Sequence, residues 1–276
     1  MSVNAVAQTS SQELPRVLSI NLCADQMVLL LAQSQQILAL SSLSREKSGS
    51  YFHQRAMAYP QVDPVAEDIL KYAPDIVLTG PYTSRYTLSL LDELGVQVES
   101  LSIANSIEDV LFNIKIVGAL LAQSARAAEI AEHIRLTLSQ YSDQVSALLQ
   151  KSNHRPRAAV FDANGYTVGA ESIRGEAMRL AGWHNVAEER GITSYGVLDL
   201  EDLIRLQPDA LIESPYSEDT YSRGQRLTQH PALRATGIDP LIIRIPSNQT
   251  ICEGPWTLDV IGELVNAHAQ HSLTIN

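Results

Sequence analysis

Residues 66–83, AEDILKYAPDIVLTGPYT, return at 200–217 as LEDLIRLQPDALIESPYS, at a constant offset of 134 with no gap. Glu67/Glu201, Asp68/Asp202, Pro74/Pro208, Asp75/Asp209, Pro81/Pro215 and Tyr82/Tyr216 fall in register. In a chain of 276 residues, such a repeat points to two similar units, because single hydrophobic cores tend to divide at roughly 250–300 residues. Each copy spells a short acidic-led helix, a proline stop, an apolar strand and a Pro-Tyr turn.

The rest of the chain supports the same pattern. RVLSI (16–20) reads as a strand, Asn21 to Asp25 as capping side chains, and QMVLLLAQ as an apolar helix. ILALSSL is a second strand, followed by a polar functional loop over 44–60, and Asp63-Pro64 supplies a cap and first-turn proline for the repeated helix. A helix over 86–94 stops at Gly95 before the strand VQVESL. Ser106 to Asp109 has capping-box spacing and opens the longest helical region; residues 124–149 alone span about 39 Å at the α-helical rise. After Asn153 to Pro156 the alternation restarts: RAAVFDA, SIRGEAMRLAG, the second repeat copy, LIIRIP and a closing helix over 255–269. The expected fold is α/β, with two Rossmann-like lobes built on central parallel sheets, joined by one long helix, and a ligand cleft between them. The boundaries are 1–15 for the terminus, 16–122 for the N-terminal lobe, 123–152 for the connecting helix and 153–276 for the C-terminal lobe.

Charge and motif content narrow the function. A net charge of −11 argues against nucleic-acid binding, which calls for a concentrated basic face. There is no G-x-G-x-x-G, no P-loop and no G-x-S-x-G elbow, and the seven histidines show no H-E-x-x-H spacing. The chain therefore reads as a binding protein rather than an enzyme, with no intrinsic cofactor or bare metal site. Cys23 and Cys252 are compatible with simple burial, a disulfide or a ligand contact. Residues 1–15 are polar and small, with Ala5-Val6-Ala7 in the pattern that precedes signal-peptidase cleavage, so they read either as a shortened export signal or as an unstructured end.

Ligands of open parallel sheets sit beyond the carboxyl ends of the strands. Tyr82 and Tyr216 each follow a repeated strand, so they belong on facing lips of one cleft. Loops on the first lobe also carry Arg45, Tyr51, His53, Arg85 and Tyr86; those on the second carry Asn164, Tyr166, Arg174, Tyr195, Tyr221, Cys252 and Trp256. From these, Arg45, Tyr51, Tyr82, Arg85, Tyr166, Tyr195, Tyr216 and Trp256 form the expected ligand set. Tyrosine offers a flat apolar face at small entropic cost, which suits a bulky planar or chelate ligand, and arginine would pair with an anionic one. Glu67 and Glu201 stand in the first turn of the repeated helix, where they either serve the helix dipole or mark each lobe for a basic partner.

The segments RVLSINLCADQMVLLLA, the paired E-x6-P-D stretches, LDELGVQVESL, the long strut helix and ESIRGEAMRLAGWHNVAEE resemble, in order and spacing, the class III periplasmic substrate-binding proteins of ABC importers. The likeness runs from about Arg16 to the C-terminus. It implies a monomeric, periplasmic, bilobed protein with limited closure, carrying a ferric siderophore, cobalamin or heme. It also implies that Glu67 and Glu201 meet arginines of the inner-membrane permease. Of these ligands an iron siderophore is the leading expectation and a corrinoid the alternative. The family's first strand usually ends in a Ser-x-Ser/Thr-x-Glu type segment, whereas this chain has Asn21-Leu-Cys-Ala-Asp25.

Overall fold

The structure, a computed structural model, describes residues 13–152, 154–216 and 239–274. Most of the segment read as a leader or loose end, and Tyr221, lie outside the described residues. In the first lobe, strands β1 (Val17–Ser19), β2 (Ile37–Ser41), β3 (Gln61–Val62), β4 (Ile76–Thr79) and β5 (Gln97–Ser100) form a sheet in the order β3-β2-β1-β4-β5, every pair parallel. Helices α1 (Leu22–Leu31), α2 (His53–Ala56), α3 (Ala66–Leu70) and α4 (Arg85–Glu93) connect them. In the second lobe β6 (Arg157–Val160), β8 (His184–Asn185), β10 (Ala210–Glu213) and β11 (Leu241–Arg244) form a parallel sheet in the order β11-β10-β6-β8. Strands β7 (Tyr166–Val168) and β9 (Tyr195–Val197) add a separate antiparallel ribbon. Among the described residues, helices α7 (Ile173–Leu180), α8 (Leu200–Leu206) and α9 (Thr257–Thr274) pack in this lobe.

The repeat falls on α3-β4 and α8-β10, and its Pro-Asp step has the same task in both lobes. The Asp75 carboxylate accepts the backbone N–H of Arg16 at 2.7 Å, while the Asp75 N–H donates back to the Arg16 carbonyl. Asp209 does the same with Arg157, at 2.7 Å from the N–H to the carboxylate. Each aspartate thus registers its strand against the first strand of its lobe. The residues just before the prolines, Ala73 and Gln207, both have positive φ, 44° and 47°. A proline disfavours right-handed helix in the residue before it, so this left-handed step ends the helix and turns the chain into the strand.

Between the lobes run α5 (Ile107–Leu120) and α6 (Ser124–Ser152). The Ser106 hydroxyl caps α5 by accepting the Asp109 N–H. The helical region that opens at Ser106 divides at Ala122, where the chain turns at φ 54°. Gly118 lets them pack closely: a Cβ there would lie 2.5 Å from that of Ala127. At 29 residues α6 is about 44 Å long. One buried apolar cluster passes from Val17 and Leu78 through Ile114, Val117 and Ile134 to Trp183, Ile261 and Leu264, so both lobes share a core behind the cleft. The outer sheet faces have their own clusters, around Leu18 and Ile69 in one lobe and Phe161 and Leu203 in the other.

Local boundaries differ from expectation at α3. The N-cap position is Val65, without a side-chain bond, so Asp63 does not cap it, whereas in the second lobe the Asp199 carboxylate accepts the Asp202 N–H at 2.7 Å. The expected loop over 44–60 contains α2. Among the described residues no helix is long and apolar enough to cross a membrane.

Candidate functional site

The carboxyl ends of both parallel sheets open on one cavity of about 460 Å³ between the lobes, within the usual range for small-molecule sites. From the first lobe it is lined by Asn21 and Cys23 after β1, by Gly80, Pro81 and Tyr82 after β4, and by residues 101–103 after β5. From the second come Asp162 after β6, Ser214 and Tyr216 after β10, Ser247 after β11, and Glu253 just before α9. Asn21 is fixed by the start of α1, where its Oδ1 accepts the N–H groups of Cys23 and Ala24 at 3.0 and 3.2 Å.

The tyrosines give the cleft its character. Tyr166 and Tyr195 lie diagonally on one face of the β7/β9 ribbon, two residues out of direct register, which brings their rings into a stack with centroids 6.2 Å apart. Burial raises the pKa of both hydroxyls, with nearby Glu253 and Tyr82 adding to the effect on Tyr195. Both therefore remain neutral hydrogen-bonding groups at physiological pH. Tyr82 is 87% exposed and Tyr216 54% exposed, so each presents a free ring face. The Tyr216 hydroxyl donates across the seam to a Glu46 carboxylate oxygen at 2.7 Å.

One charged pair is built into the wall. The Arg174 guanidinium donates to Asp162 at 2.6 Å and to the Ser214 hydroxyl at 3.1 Å, and the Ser214 N–H donates to the other Asp162 oxygen at 2.6 Å. The Glu253 carboxyl, by contrast, lacks a cationic partner among the described residues, and burial pushes its pKa up to about 7.

Of the eight expected ligand contacts, the structure brings Tyr82, Tyr166, Tyr195 and Tyr216 together on the cavity and leaves Arg45, Tyr51, Arg85 and Trp256 off its lining. Trp256 is 2% exposed; its indole N–H donates to the Cys252 carbonyl at 2.6 Å, and its ring stacks on Tyr51 with centroids 5.2 Å apart. The Tyr51 hydroxyl donates to Asp259 at 2.7 Å, and burial together with that carboxylate pushes its pKa up to about 12. Arg45 donates to the Tyr59 carbonyl at 2.6 Å. Arg85 is the exposed first residue of α4. Of the wider candidates, Arg174 lines the cavity, while His53, Tyr86 and Asn164 do not. Sequence reasoning passed over Asp162, Ser214 and Glu253. The first two follow β6 and β10 as Asn21 and Gly80 follow β1 and β4, and that position was the signal available.

Cys23 and Cys252 form a disulfide, with Cα atoms 5.2 Å apart, that joins the lobes at the cleft. On the same flank the Ser247 hydroxyl donates to the Ser48 carbonyl at 2.7 Å. On the opposite flank the Ile107 N–H donates to Glu176 at 2.7 Å. The cleft is therefore pinned on both sides.

On α3 and α8 the repeated acids have separate tasks. Asp68 pairs with Lys71, and the largely buried Asp202 pairs with Arg190 at 2.7 Å. Glu67 and Glu201 are exposed and make no hydrogen bond or ion pair among the described residues.

Residues 17–237 match the model of a family described as periplasmic binding protein. Over 147 residues, 53% of this chain, the sequence is 29% identical to cobalamin-binding proteins of two strains of Halobacterium salinarum, and the match spans 39% of their length. The fold is similar to that of a periplasmic heme-binding protein from Pseudomonas aeruginosa, with TM-score 0.71, 23% identity and 93% of each chain covered. It is also similar to that of the periplasmic vitamin B12 binding protein BtuF of Vibrio cholerae, with TM-score 0.67, 16% identity and 94% and 98% of the two chains covered. The chain belongs to the periplasmic binding protein family, in the class III form in which two α/β lobes share a helical backbone.

Proposed function

We propose that this protein is an extracytoplasmic, monomeric carrier that captures a bulky metal chelate, in the first instance an iron siderophore complex, and delivers it to an ABC permease at the inner membrane. The observation that carries this reading is the cavity at the carboxyl ends of both sheets, walled by Tyr82, Tyr166, Tyr195 and Tyr216. Four amphipathic rings on a pinned frame bind a large flat or globular complex without paying much ordering entropy. Glu67 and Glu201, exposed and uncommitted on corresponding helices, suit two-point recognition of permease arginines, which fixes orientation more than it adds affinity. A disulfide between the lobes fits an oxidising compartment.

A second reading, a corrinoid, gains from one observation. Arg45 and Arg85, the cations that favour an anionic siderophore, lie off the cavity lining, and Arg174 is already paired with Asp162. The relatives from Halobacterium salinarum are themselves described as cobalamin-binding. Titration of the purified protein with ferric siderophores and corrinoids, read by absorbance and native mass spectrometry, separates the two readings. Stoichiometric binding without turnover is expected. Combined Glu67→Ala and Glu201→Ala should leave binding intact and abolish uptake by cells; loss of binding, or full uptake, refutes the roles given to these carboxylates.

A further inference from the structure

The charged groups that line the cleft among the described residues do not balance. Two cavities place groups beside Glu253, the main cleft and a small one behind it shared with Gln249, Thr250 and Thr257. The titratable groups lining them among the described residues are Asp162 and Arg174, the tyrosines Tyr82, Tyr166, Tyr195 and Tyr216, and Glu253 itself. Asp162 and Arg174 cancel in a 2.6 Å ion pair whose side chains are 16% and 14% exposed. The tyrosines are neutral. What remains is one carboxyl on the wall, held by the turn between the disulfide cysteine Cys252 and Gly254 and facing the stacked Tyr166 and Tyr195.

A carboxylate in such a place has lost much of its water and gained no cation among the described residues, a state that favours taking up a proton or finding a positive partner. We propose that Glu253 is the charge selector of the cleft, and that the ligand is a cationic metal chelate which places its positive charge against this carboxyl. This rests on the assignment of the cleft to a metal chelate and narrows it: cationic complexes are selected, uncharged ones bind more weakly, and anionic ones are repelled by Glu253 with no free cation on the lining among the described residues to receive them. Two sources share the required chemistry, the positively charged hydroxamate complexes of iron and the positively charged corrinoids.

The same carboxyl makes capture depend on pH. It is free to pair with a cation only when ionised, so affinity for a cationic chelate increases as pH rises through about 7. If only the ionised form pairs, the gain between pH 5.5 and 8 is limited to about thirtyfold by the ionised fraction, and a gain of about tenfold or more is expected.

The test is fluorescence titration of the full chain with ferrioxamine B, which is cationic, ferrichrome, which is neutral, and ferric enterobactin, which is anionic. At pH 7 aquocobalamin and cyanocobalamin form a matched cationic and neutral pair that identifies the corrinoid source. The cationic member of a pair should bind at least tenfold tighter than the neutral one at neutral or higher pH. Glu253→Gln should remove that preference and flatten the pH dependence. Glu253→Asp, which keeps the charge, should retain it and shows whether loss in the glutamine variant is electrostatic or a folding defect. Equal affinity for charged and neutral members, tighter binding of enterobactin, or a pH rise that survives Glu253→Gln overturns the proposal while leaving the cleft a chelate site. If no chelate of any charge binds, the assignment of the cleft itself fails.

Discussion

Replacing Cys23 and Cys252 by serine tests the strongest tie between the lobes. The disulfide closes a loop with a sequence separation of 229 residues, and the chain-entropy relation gives about 5 kcal/mol for a loop of that length at 25 °C. Measured values fall at or below such figures, because unfolded chains keep some structure, so a loss of about 3 to 5 kcal/mol is expected for the double serine variant. Trp183 and Trp256 are both almost fully buried, 1% and 2% exposed, and report unfolding by fluorescence. With a urea slope of about 3 kcal/mol/M, the midpoint should fall by roughly 1 to 1.7 M under non-reducing conditions. The folded variant should still bind ligand, because the contacts of Ser247 with Ser48, Tyr216 with Glu46 and Glu176 with Ile107 persist. A stability loss below about 1 kcal/mol, or two titratable thiols in the native wild-type protein, refutes the reasoning.

Asp25 should make stability fall with rising pH. Its side chain is buried from the first turn of α1, accepting the Ser41 N–H at 3.1 Å and bonding the Ser41 hydroxyl, and burial pushes its pKa from 3.8 to about 7. A raised folded-state value means that its stabilisation is complete below the unfolded pKa and is lost as pH rises through about 7, on the order of 2 to 3 kcal/mol between pH 5 and 8. Glu253 contributes in the same direction, and His268, whose pKa burial lowers, in the opposite one. Urea titrations of Asp25→Asn should therefore show a pH slope shallower than wild type by that amount, and an unchanged slope contradicts the assignment. Asp75→Ala and Asp209→Ala each strip the acceptor from a backbone N–H at the start of a lobe's first strand, and denaturation should register a loss of about 0.5 to 1.5 kcal/mol in either lobe, the larger at the less exposed Asp209. Trp183→Phe keeps most of the packing but leaves the Leu264 carbonyl without the indole N–H now 2.9 Å away, for a loss of about 1 to 3 kcal/mol by the same measurement.

The architecture was legible because its signals are local. Alternation of apolar strands and capped helices, and a repeat that keeps its register, set the two parallel sheets and the helical region between them. The Pro-Tyr steps placed Tyr82 and Tyr216 on the cleft by topology alone. What escaped were features decided by tertiary contact. The β7/β9 ribbon pairs residues 195–197 with 166–168, and nothing in either three-residue strand announces the other. Trp256 reads from sequence as one of the second-lobe residues at the cleft, yet its neighbours Tyr51 and Phe52 come from the opposite lobe and enclose it. Arg45 could have faced a ligand or a carbonyl; only the fold sets it 2.6 Å from Tyr59. The unbalanced charge at Glu253 was invisible for the same reason, since it depends on Arg174 being occupied by Asp162.

The repeated segment divides its work among its residues, and that division accounts for how a duplicated lobe becomes one binding device. Pro74-Asp75 and Pro208-Asp209 set strand register in each lobe, tasks that leave no freedom to diverge. Asp68 and Asp202 already differ: one pairs with Lys71 on its own helix, the other with Arg190 from a neighbouring segment. The tyrosines diverge further, for Tyr216 is tied across the seam to Glu46 while Tyr82 stands 87% exposed. Glu67 and Glu201 alone remain equivalent, solvent-facing and uncommitted. Both suit the dipole of the helix whose first turn they occupy, and the proposed docking role gives the same charges a second use. Two carboxylates kept free on separate lobes of a pinned frame hold a fixed mutual geometry, and fixed geometry is what a second protein needs in order to recognise both at once.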